Sequence, residues 1–168
     1  MKNIYLTGFM GTGKSSVAAF LSSLTGLETA EMDALIVAQE GRSIAEIFDS
    51  EGEEAFRGIE SALLRKLAET GGFIVSCGGG VPLREENRKV MKESGTVILL
   101  TAPAEEIARR LASDKARPLL AYKKSEPYIA EMLARRMPYY NSAADLVVET
   151  AGKTPSAIAE EIAALLRS

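Results

Sequence analysis

Histidine and tryptophan are absent from this chain of 168 residues, and cysteine occurs once, as Cys77. Without histidine the chain cannot build a Ser-His-Asp triad or an HExxH zinc site, or use any other acid-base chemistry that needs an imidazole. A single cysteine allows neither an intrachain disulfide nor a cysteine-rich zinc site. Catalysis would therefore have to use carboxylates, Lys, Arg, hydroxyl groups, the backbone or a hard metal ion.

Strong charge and long apolar runs are missing as well. The formal net charge is only -3, so there is no basic field to hold a nucleic-acid backbone, and we expect no nucleic-acid partner. No apolar run approaches the ~18 residues that span a bilayer. The apolar part of the first eight residues is too short for a signal peptide. We therefore expect a cytoplasmic protein with no membrane partner.

The composition is that of an ordinary globular protein, with 46% hydrophobic and 26% charged residues. The length suits a single domain over residues 1–168. The sequence contains no internal repeat, low-complexity tract or interdomain linker.

Short apolar runs alternate with longer amphipathic segments. The predicted strands are 4–6, 73–76, 97–100 and 146–148, with 27–31 as a weaker candidate. The predicted helices are 14–24, 53–69, 84–93, 104–113, 126–141 and 155–166. This alternation predicts an α/β fold with a five-stranded parallel sheet flanked by helices. The polar segment 113–126 is expected to be a loop over a site.

One segment carries a recognisable phosphate-binding pattern, G-x-x-x-x-G-K-[ST]. It reads Gly8-Phe9-Met10-Gly11-Thr12-Gly13-Lys14-Ser15. Glycines let successive backbone N–H groups turn toward phosphate oxygens, and the helix that follows adds its positive end. Lys14 can reach the β- and γ-phosphates, and the Ser15 hydroxyl can ligate Mg²⁺ directly. The alternative is a glycine-rich turn with a surface lysine.

A nucleotide site in a chain of this length leaves several functions open. GTPase switches need an Asn-Lys-x-Asp motif, which is absent, and motor or transport ATPases need a longer chain. A small phosphoryl-transfer kinase fits the length best. The residues predicted to bind ATP in this segment are Gly11, Thr12, Gly13, Lys14, Ser15 and Ser16.

Further motifs follow in a fixed order, and with them the sequence resembles the shikimate kinase family nearly from end to end. They are Glu31-Met32-Asp33, Gly41-Arg42-Ser43-Ile44, Ile47-Phe48, Phe56-Arg57-Gly58-Ile59-Glu60, Gly78-Gly79-Gly80, Arg117-Pro118-Leu119-Leu120 and Arg135-Arg136-Met137-Pro138-Tyr139-Tyr140. The resemblance implies a nucleoside-monophosphate-kinase-like P-loop fold of three layers, with a substrate-binding segment at about 33–61 and a lid at about 113–126.

The resemblance also implies one reaction. ATP would phosphorylate the 3-hydroxyl of shikimate, giving shikimate 3-phosphate and ADP, with Mg²⁺ as cofactor, in the pathway to the aromatic amino acids. The partners are then ATP and shikimate. No apolar stripe is evident on the predicted surface, so we expect a monomer.

Asp33 follows a predicted strand and would lie near the phosphate loop in such a fold. A carboxylate there can accept or orient the proton of an attacking hydroxyl. Asp is also a preferred helix N-cap residue, and both roles can apply to one side chain. The resemblance implies the catalytic role for Asp33, beside Lys14.

Arg57 and Glu60 are three residues apart on a predicted helix and so share a face. They could form a surface ion pair, or Glu60 could hold the Arg57 guanidinium in place to bind a substrate carboxylate. The resemblance implies the second role and gives Arg136 as the other clamp. Arg135 is expected to be a solvated neighbour.

Gly78, Gly79 and Gly80 follow a predicted parallel strand, at the edge where open α/β sheets bind ligands. Their backbone N–H groups could meet substrate hydroxyls, as the resemblance implies. The alternative is a flexible turn leading into Pro82 and the next helix.

The remaining assignments come from the resemblance alone. Arg117 would close over the phosphates with the lid and stabilise transition-state charge, whereas by itself it would be a solvated loop residue. Arg110 and Pro155 would sandwich the adenine. The apolar contacts to the substrate ring would be Phe48, Phe56 and Leu119, each of which could equally belong to the core.

The chain departs from the family at one place, where Glu31-Met32-Asp33 replaces the usual Asp-x-Asp. The first acid of that motif normally touches the water shell of the metal, so Glu31 and Ser76 are expected to contact Mg²⁺ through water. Cys77, beside Ser76, is expected to be a small buried residue.

Two other functions stay open at this point. One is a kinase of another polyol acid, such as gluconate. The other is a shikimate-kinase-like module that binds nucleotide as a regulatory domain without turnover. The pairing of Arg57 and Arg136 with three glycines argues against the first. The intact Lys14 and Asp33 argue against the second.

Overall fold

The computed structural model describes residues 2–112 and 126–168. Its strands are β1 (Asn3–Thr7), β2 (Glu28–Glu31), β3 (Phe73–Ser76), β4 (Gly95–Thr101) and β5 (Leu146–Glu149). Its helices are α1 (Lys14–Thr25), α2 (Met32–Glu40), α3 (Ile44–Glu51), α4 (Glu53–Thr70), α5 (Glu85–Ser94), α6 (Ala104–Ala112), α7 (Glu126–Ala143) and α8 (Pro155–Arg167). A short 3₁₀ turn, Val81–Leu83, precedes α5.

The five strands form one parallel sheet in the order β2-β3-β1-β4-β5. The inner strands β1, β3 and β4 read as near-continuous apolar runs because both faces of the sheet are covered there. Along β1, for example, Ile4 and Leu6 face one layer of helices and Tyr5 faces the other. The predicted α/β class and the five-stranded parallel sheet are confirmed.

The helices on the two faces make the three layers of the fold. On one face, α1 and α8 pack through Val17, Leu21, Ile158 and Ile162. The opposite face buries side chains of α2, α3, α4 and α5 against Tyr5 and Val75. Helices α6 and α7 close the end beside the phosphate loop around Phe9 and Tyr140.

Among the helices that the structure describes, α2 and α3 were not predicted. Helix α2 has a poor apolar stripe, since Leu35 and Val37 on it are exposed. Helix α3 has only eight residues, although its start carries a sequence signal. The Ser43 side chain accepts from the Glu46 amide, and the Glu46 carboxylate accepts from the Ser43 amide, which is a capping box.

The carboxyl ends of parallel strands meet at one edge of a sheet, and the predicted site residues gather there. The phosphate loop follows β1, the triple glycine follows β3, and Asp33 follows β2. Since β1 lies beside β3, and β3 beside β2, these three segments are neighbours. In residues 2–112 and 126–168, no helix is both long enough and apolar enough to cross a membrane.

Candidate active site

The phosphate loop, residues 8–15, turns on glycines in conformations that other residues rarely adopt. Gly11 and Gly13 have φ angles of 84° and 88°, in the left-handed region that favours glycine. Thr12 is buried and fixes the turn by donating from its hydroxyl to the Phe9 carbonyl at 2.7 Å. The backbone conformation of residues 8–13, which precede α1, is therefore fixed by these glycines and by the Thr12 hydrogen bond.

Lys14 curls back over the loop that precedes it. Its ammonium donates to the carbonyl oxygens of Gly8 at 2.8 Å and Phe9 at 3.1 Å. Its charge therefore lies over the centre of the loop, where a phosphate group would need neutralisation.

A cavity of about 260 Å³ opens beside the loop. It brings together five of the predicted ATP-binding residues with Arg110, and is lined by Gly11, Gly13, Lys14, Ser15, Ser16, Arg110 and Leu111. Arg110 donates to the Gly11 carbonyl at 2.9 Å. Pro155 is the first residue of α8.

Ser15 and Glu31 meet at the start of α1. The Ser15 hydroxyl donates to Oε2 of Glu31 at 2.8 Å. Glu31 pairs with Ser76 across β2 and β3, so all three residues lie at one corner of the sheet edge. Within the described part of the chain, no group of three or more Cys, Asp or Glu side chains is arranged to hold a metal ion.

The glycine loop, residues 78–82, is fixed at every carbonyl oxygen. The carbonyls of Gly78 and Gly80 accept from the Val81 and Leu83 amides, both at 3.1 Å. The other three bonds come from side chains of α5 and α7. They are Tyr140 to Gly79 at 2.8 Å, Asn87 to Val81 at 3.0 Å and Arg88 to Pro82 at 2.9 Å. These hydrogen bonds hold the glycine loop in a defined conformation, which argues against the flexible turn of the alternative hypothesis.

The two predicted clamp arginines both lie against this loop. A Cβ atom on Gly80 would overlap the Arg57 guanidinium, and one on Gly79 would lie 3.1 Å from Nη1 of Arg136. Arg57 approaches from α4 and Arg136 from α7. The structure therefore brings together two guanidinium groups that sequence places 79 residues apart.

The buried Glu60 holds Arg57 in place through an ion pair. Its Oε1 lies 3.0 Å from Nη1 of Arg57, and its side chain is only 1% exposed. The pair is therefore not the surface ion pair that the sequence left open. Burial raises the pKa of Glu60, and the charge of Arg57 opposes this shift.

Asp33 lies in the first turn of α2, with Glu31 in the N-cap position. No side-chain capping bond is formed there, so the N-cap alternative for Asp33 is wrong. Its Oδ1 lies 3.2 Å from the position of a Cβ atom on Gly78, and Oε2 of Glu60 lies 2.8 Å from the same position. The exposed Asp33 thus faces the glycine loop.

The rings of Phe48 and Phe56 contact each other at a tilt of 37°, with centroids 5.0 Å apart, and the Arg57 guanidinium lies 5.3 Å from the Phe56 ring. Phe56 is buried in the core and Phe48 only partly. Arg135 is exposed and pairs with Glu131, and Cys77 is buried, both as expected. Arg117, Leu119 and the predicted lid lie outside the described residues, apart from Glu126.

Sequence reasoning missed the side chains that hold the glycine loop, namely Asn87, Arg88 and Tyr140. Asn87 and Arg88 look like ordinary polar residues of a surface helix. For Tyr140 a signal did exist, because it follows Arg136 by four residues and so shares its face of α7.

A parallel sheet of this order, with a phosphate loop after its first strand, defines a P-loop protein of the nucleoside-monophosphate-kinase-like class. A sequence profile described as shikimate kinase matches residues 10–167. A shikimate kinase of Geobacter metallireducens is 42% identical over 99% of this chain and 92% of its own length. The chain belongs to the shikimate kinase family, and is therefore an ATP-using kinase, a class of enzyme that works with a divalent metal ion.

Comparison with two solved structures shows how similar the fold is to those of known kinases. A shikimate kinase from Acinetobacter baumannii, described in complex with shikimate, superposes with a TM-score of 0.93 at 34% identity, covering 99% of this chain and 93% of that one. A gluconokinase from Sinorhizobium meliloti matches with a TM-score of 0.60 at 18% identity, over 99% and 92% of the two chains. The second likeness shows a shared fold alone.

Proposed function

We propose that this enzyme transfers the γ-phosphate of ATP to the 3-hydroxyl of shikimate, giving shikimate 3-phosphate and ADP. The observation that carries the proposal is the pair of guanidinium groups, Arg57 and Arg136, held against the glycine loop beside Asp33. Two fixed cations suit a planar carboxylate. The adjoining carboxylate suits a hydroxyl that must lose its proton.

Lys14 and Asp33 divide the chemistry between them. Lys14 neutralises charge on the β- and γ-phosphates, for which its place over the phosphate loop is suited. Asp33 accepts or orients the proton of the attacking hydroxyl. Its position beside Gly78 lets it reach a substrate that lies on the glycine loop.

The nucleotide would lie along the cavity beside the phosphate loop. The amides of residues 11–16 would hold the phosphates at the positive end of α1. Arg110 and Pro155 would flank the adenine, and the position of Arg110 on the Gly11 carbonyl supports its half of this assignment. Arg117 and Leu119 would act from the lid, by the family resemblance alone.

The divalent ion is proposed to be Mg²⁺. Ser15 and Glu31 supply hard oxygen ligands 2.8 Å apart, and Mg²⁺ is held by few protein oxygens together with phosphates and waters. Ser15 would ligate the ion directly, with Glu31 and Ser76 acting through water. The ion would neutralise phosphate charge during transfer.

We further propose a single domain with a substrate-binding segment at 33–61, acting as a cytoplasmic monomer. The buried contacts of Phe56 and Glu60 within that segment support its place in the domain. Sedimentation of the purified protein tests the monomer, and fractionation of cells tests the location.

The function is tested by ADP release with shikimate, quinate, gluconate or no acceptor. Shikimate should give turnover far above the other three arms, and Lys14→Ala should abolish it while leaving thermal melting unchanged. Preference for gluconate would overturn the substrate. Tight ATP binding with only trace transfer to any acceptor would instead favour the regulatory module.

A further inference from the structure

Tyr140 is a buried residue at the centre of the site for which the reaction gives no chemical task. Its side chain is 0% exposed, and its hydroxyl donates to the Gly79 carbonyl at 2.8 Å. Burial raises the pKa of Tyr140, and the charge and hydrogen bonding of Arg136 act against that shift. The hydroxyl is therefore uncharged and lies between the glycine loop and the Arg136 guanidinium.

The hydrogen bond to the Gly79 carbonyl also sets the orientation of the whole Gly79–Gly80 peptide group. The peptide group is planar and trans, so its carbonyl and the following N–H point in opposite directions. Tyr140 therefore fixes the N–H of Gly80 to point away from itself. Because both flanking residues are glycines, this peptide plane would otherwise rotate at low cost.

The Tyr140 hydroxyl also lies beside the Arg136 guanidinium and restricts its position. A Cβ atom on Gly79 would lie 3.1 Å from Nη1 of Arg136 and 3.7 Å from the Tyr140 hydroxyl, so both groups cover the same glycine. On its other side the Arg136 guanidinium lies 5.4 Å from the centre of the Phe9 ring. Arg136 is thus confined between the phosphate loop and the glycine loop.

We propose that Tyr140 is a positioning residue that orients both the Gly79–Gly80 peptide and the Arg136 guanidinium, and so sets the affinity for the acid substrate. The inference rests on the proposed function, because it takes shikimate as the ligand of these two groups. Tyr140 itself touches no reacting atom. Its loss should therefore weaken substrate binding and leave the chemical step largely intact.

The test is Tyr140→Phe, which removes only the hydroxyl. We expect KM for shikimate to rise about tenfold, the scale of one lost hydrogen bond, with kcat within about threefold and KM for ATP within about twofold. Calorimetric titration with shikimate alone should show the same weakening. Gly79 is only half-buried, so water can replace the lost donor and the variant should fold.

Tyr5→Phe is the matched control. Tyr5 is also 0% exposed, and its hydroxyl bonds Ser94 and Asn3 at the opposite end of the sheet. The control should lower the melting temperature with both KM values unchanged. If it shifts KM for shikimate as much as Tyr140→Phe does, the effect is one of general stability and the proposal fails.

A second variant disturbs the same pair from the loop side. Gly79→Ala keeps Tyr140 but places a methyl group against Arg136, and Gly79 has no positive φ angle that would strain the backbone. It should also raise KM for shikimate selectively. Suppose that the wild type phosphorylates shikimate. The proposal is then overturned if Tyr140→Phe leaves the affinity for shikimate unchanged, or if it weakens the binding of ATP as much as that of shikimate. If the wild type does not phosphorylate shikimate, the proposed function itself has failed.

Discussion

Several polar and charged side chains of the site have a fixed partner within the protein. Lys14 is bonded to two loop carbonyls, Ser15 to Glu31, and Arg57 to the buried Glu60. Such partners limit the side-chain motion that would otherwise have to be lost on binding. Asp33, in contrast, is exposed and forms no capping bond, which leaves its carboxylate available to substrate.

Asp33→Asn should therefore lower kcat by about 10²–10⁴, the usual range for an acid-base group. ATP binding should change little, because Asp33 faces the glycine loop and not the nucleotide cavity. Asp49→Asn, on the exposed side of α3, is the control. Normal kcat with a lowered melting temperature would return Asp33 to a structural role.

Glu31 is the residue where this chain departs from the family pattern. Glu31→Asp should leave kcat within about threefold, because a water between carboxylate and Mg²⁺ can absorb one methylene. Glu31→Ala should raise the Mg²⁺ requirement about 10-fold or more, the scale of outer-shell losses. Activity is measured against free Mg²⁺ at fixed ATP, with Glu28→Ala on the same strand as control. An unchanged Mg²⁺ curve for Glu31→Ala would remove this residue from metal binding.

At the scale of elements, the acid site is made by two helices that reach the same loop. Helix α4 supplies Arg57 with its partner Glu60, and α7 supplies Arg136 with Tyr140 four residues later. Helix α5 fixes the end of the loop through Asn87 and Arg88. The position of each guanidinium therefore depends on the packing of a whole helix.

Arg57→Ala and Arg136→Ala should each weaken the binding of shikimate by about 10- to 150-fold. This is equivalent to about 1.5–3 kcal/mol, the usual loss for hydrogen bonds to a charged group. ATP should be affected far less. Arg135→Ala, at the exposed neighbour, is the control for charge. Equal weakening of shikimate and ATP in titrations of both variants would contradict the carboxylate clamp.

The two arginine variants should differ in stability. Arg57→Ala leaves Glu60 buried without its cation, which is strongly destabilising. The pKa of Glu60 is already raised by burial, so the folded state binds the proton more tightly than the unfolded chain. Stability of Arg57→Ala should therefore recover as the pH falls through the folded pKa. Arg136→Ala should show no such recovery in melting curves.

At the scale of the whole molecule, β1 is the centre of the sheet and brings the phosphate loop next to the segments that follow β3 and β2. Its pairing with β4 depends on Gly95, where a Cβ atom would overlap the backbone carbonyl of Asn3. Backbone cannot move aside as a flexible side chain can, so this contact limits the register of the sheet.

Gly95→Ala should therefore destabilise the fold by about 1–3 kcal/mol, the usual effect of overpacking, and lower the melting temperature by about 2–10 °C. Gly58→Ala is the matched control, since nothing lies within 4 Å of a Cβ atom there. In the interior of α4 it should stabilise by about 0.5–1 kcal/mol. Equal melting temperatures for the two variants would show that the β1–β4 contact tolerates a side chain.

Local pattern predicted the sheet and six of the eight helices in residues 2–112 and 126–168, because apolar runs and amphipathic periods are properties of neighbouring residues. It did not predict α2, whose exposed Leu35 and Val37 blur its period, or the short α3. The family and the kinase class were also predicted correctly. Both predictions rest on motifs that follow one another in a fixed order, such as the phosphate loop and the triple glycine.

The sequence by itself determined which groups are present: a phosphate loop, three glycines, two arginines and an acid after β2. Only the tertiary structure decided how they meet. Whether Arg57 and Glu60 form a surface pair or a buried one, whether Asp33 caps a helix, and what Tyr140 contacts all depend on the approach of distant helices. The reason is physical, since hydrogen bonding and burial act through space, whereas sequence patterns record only local spacing along the chain.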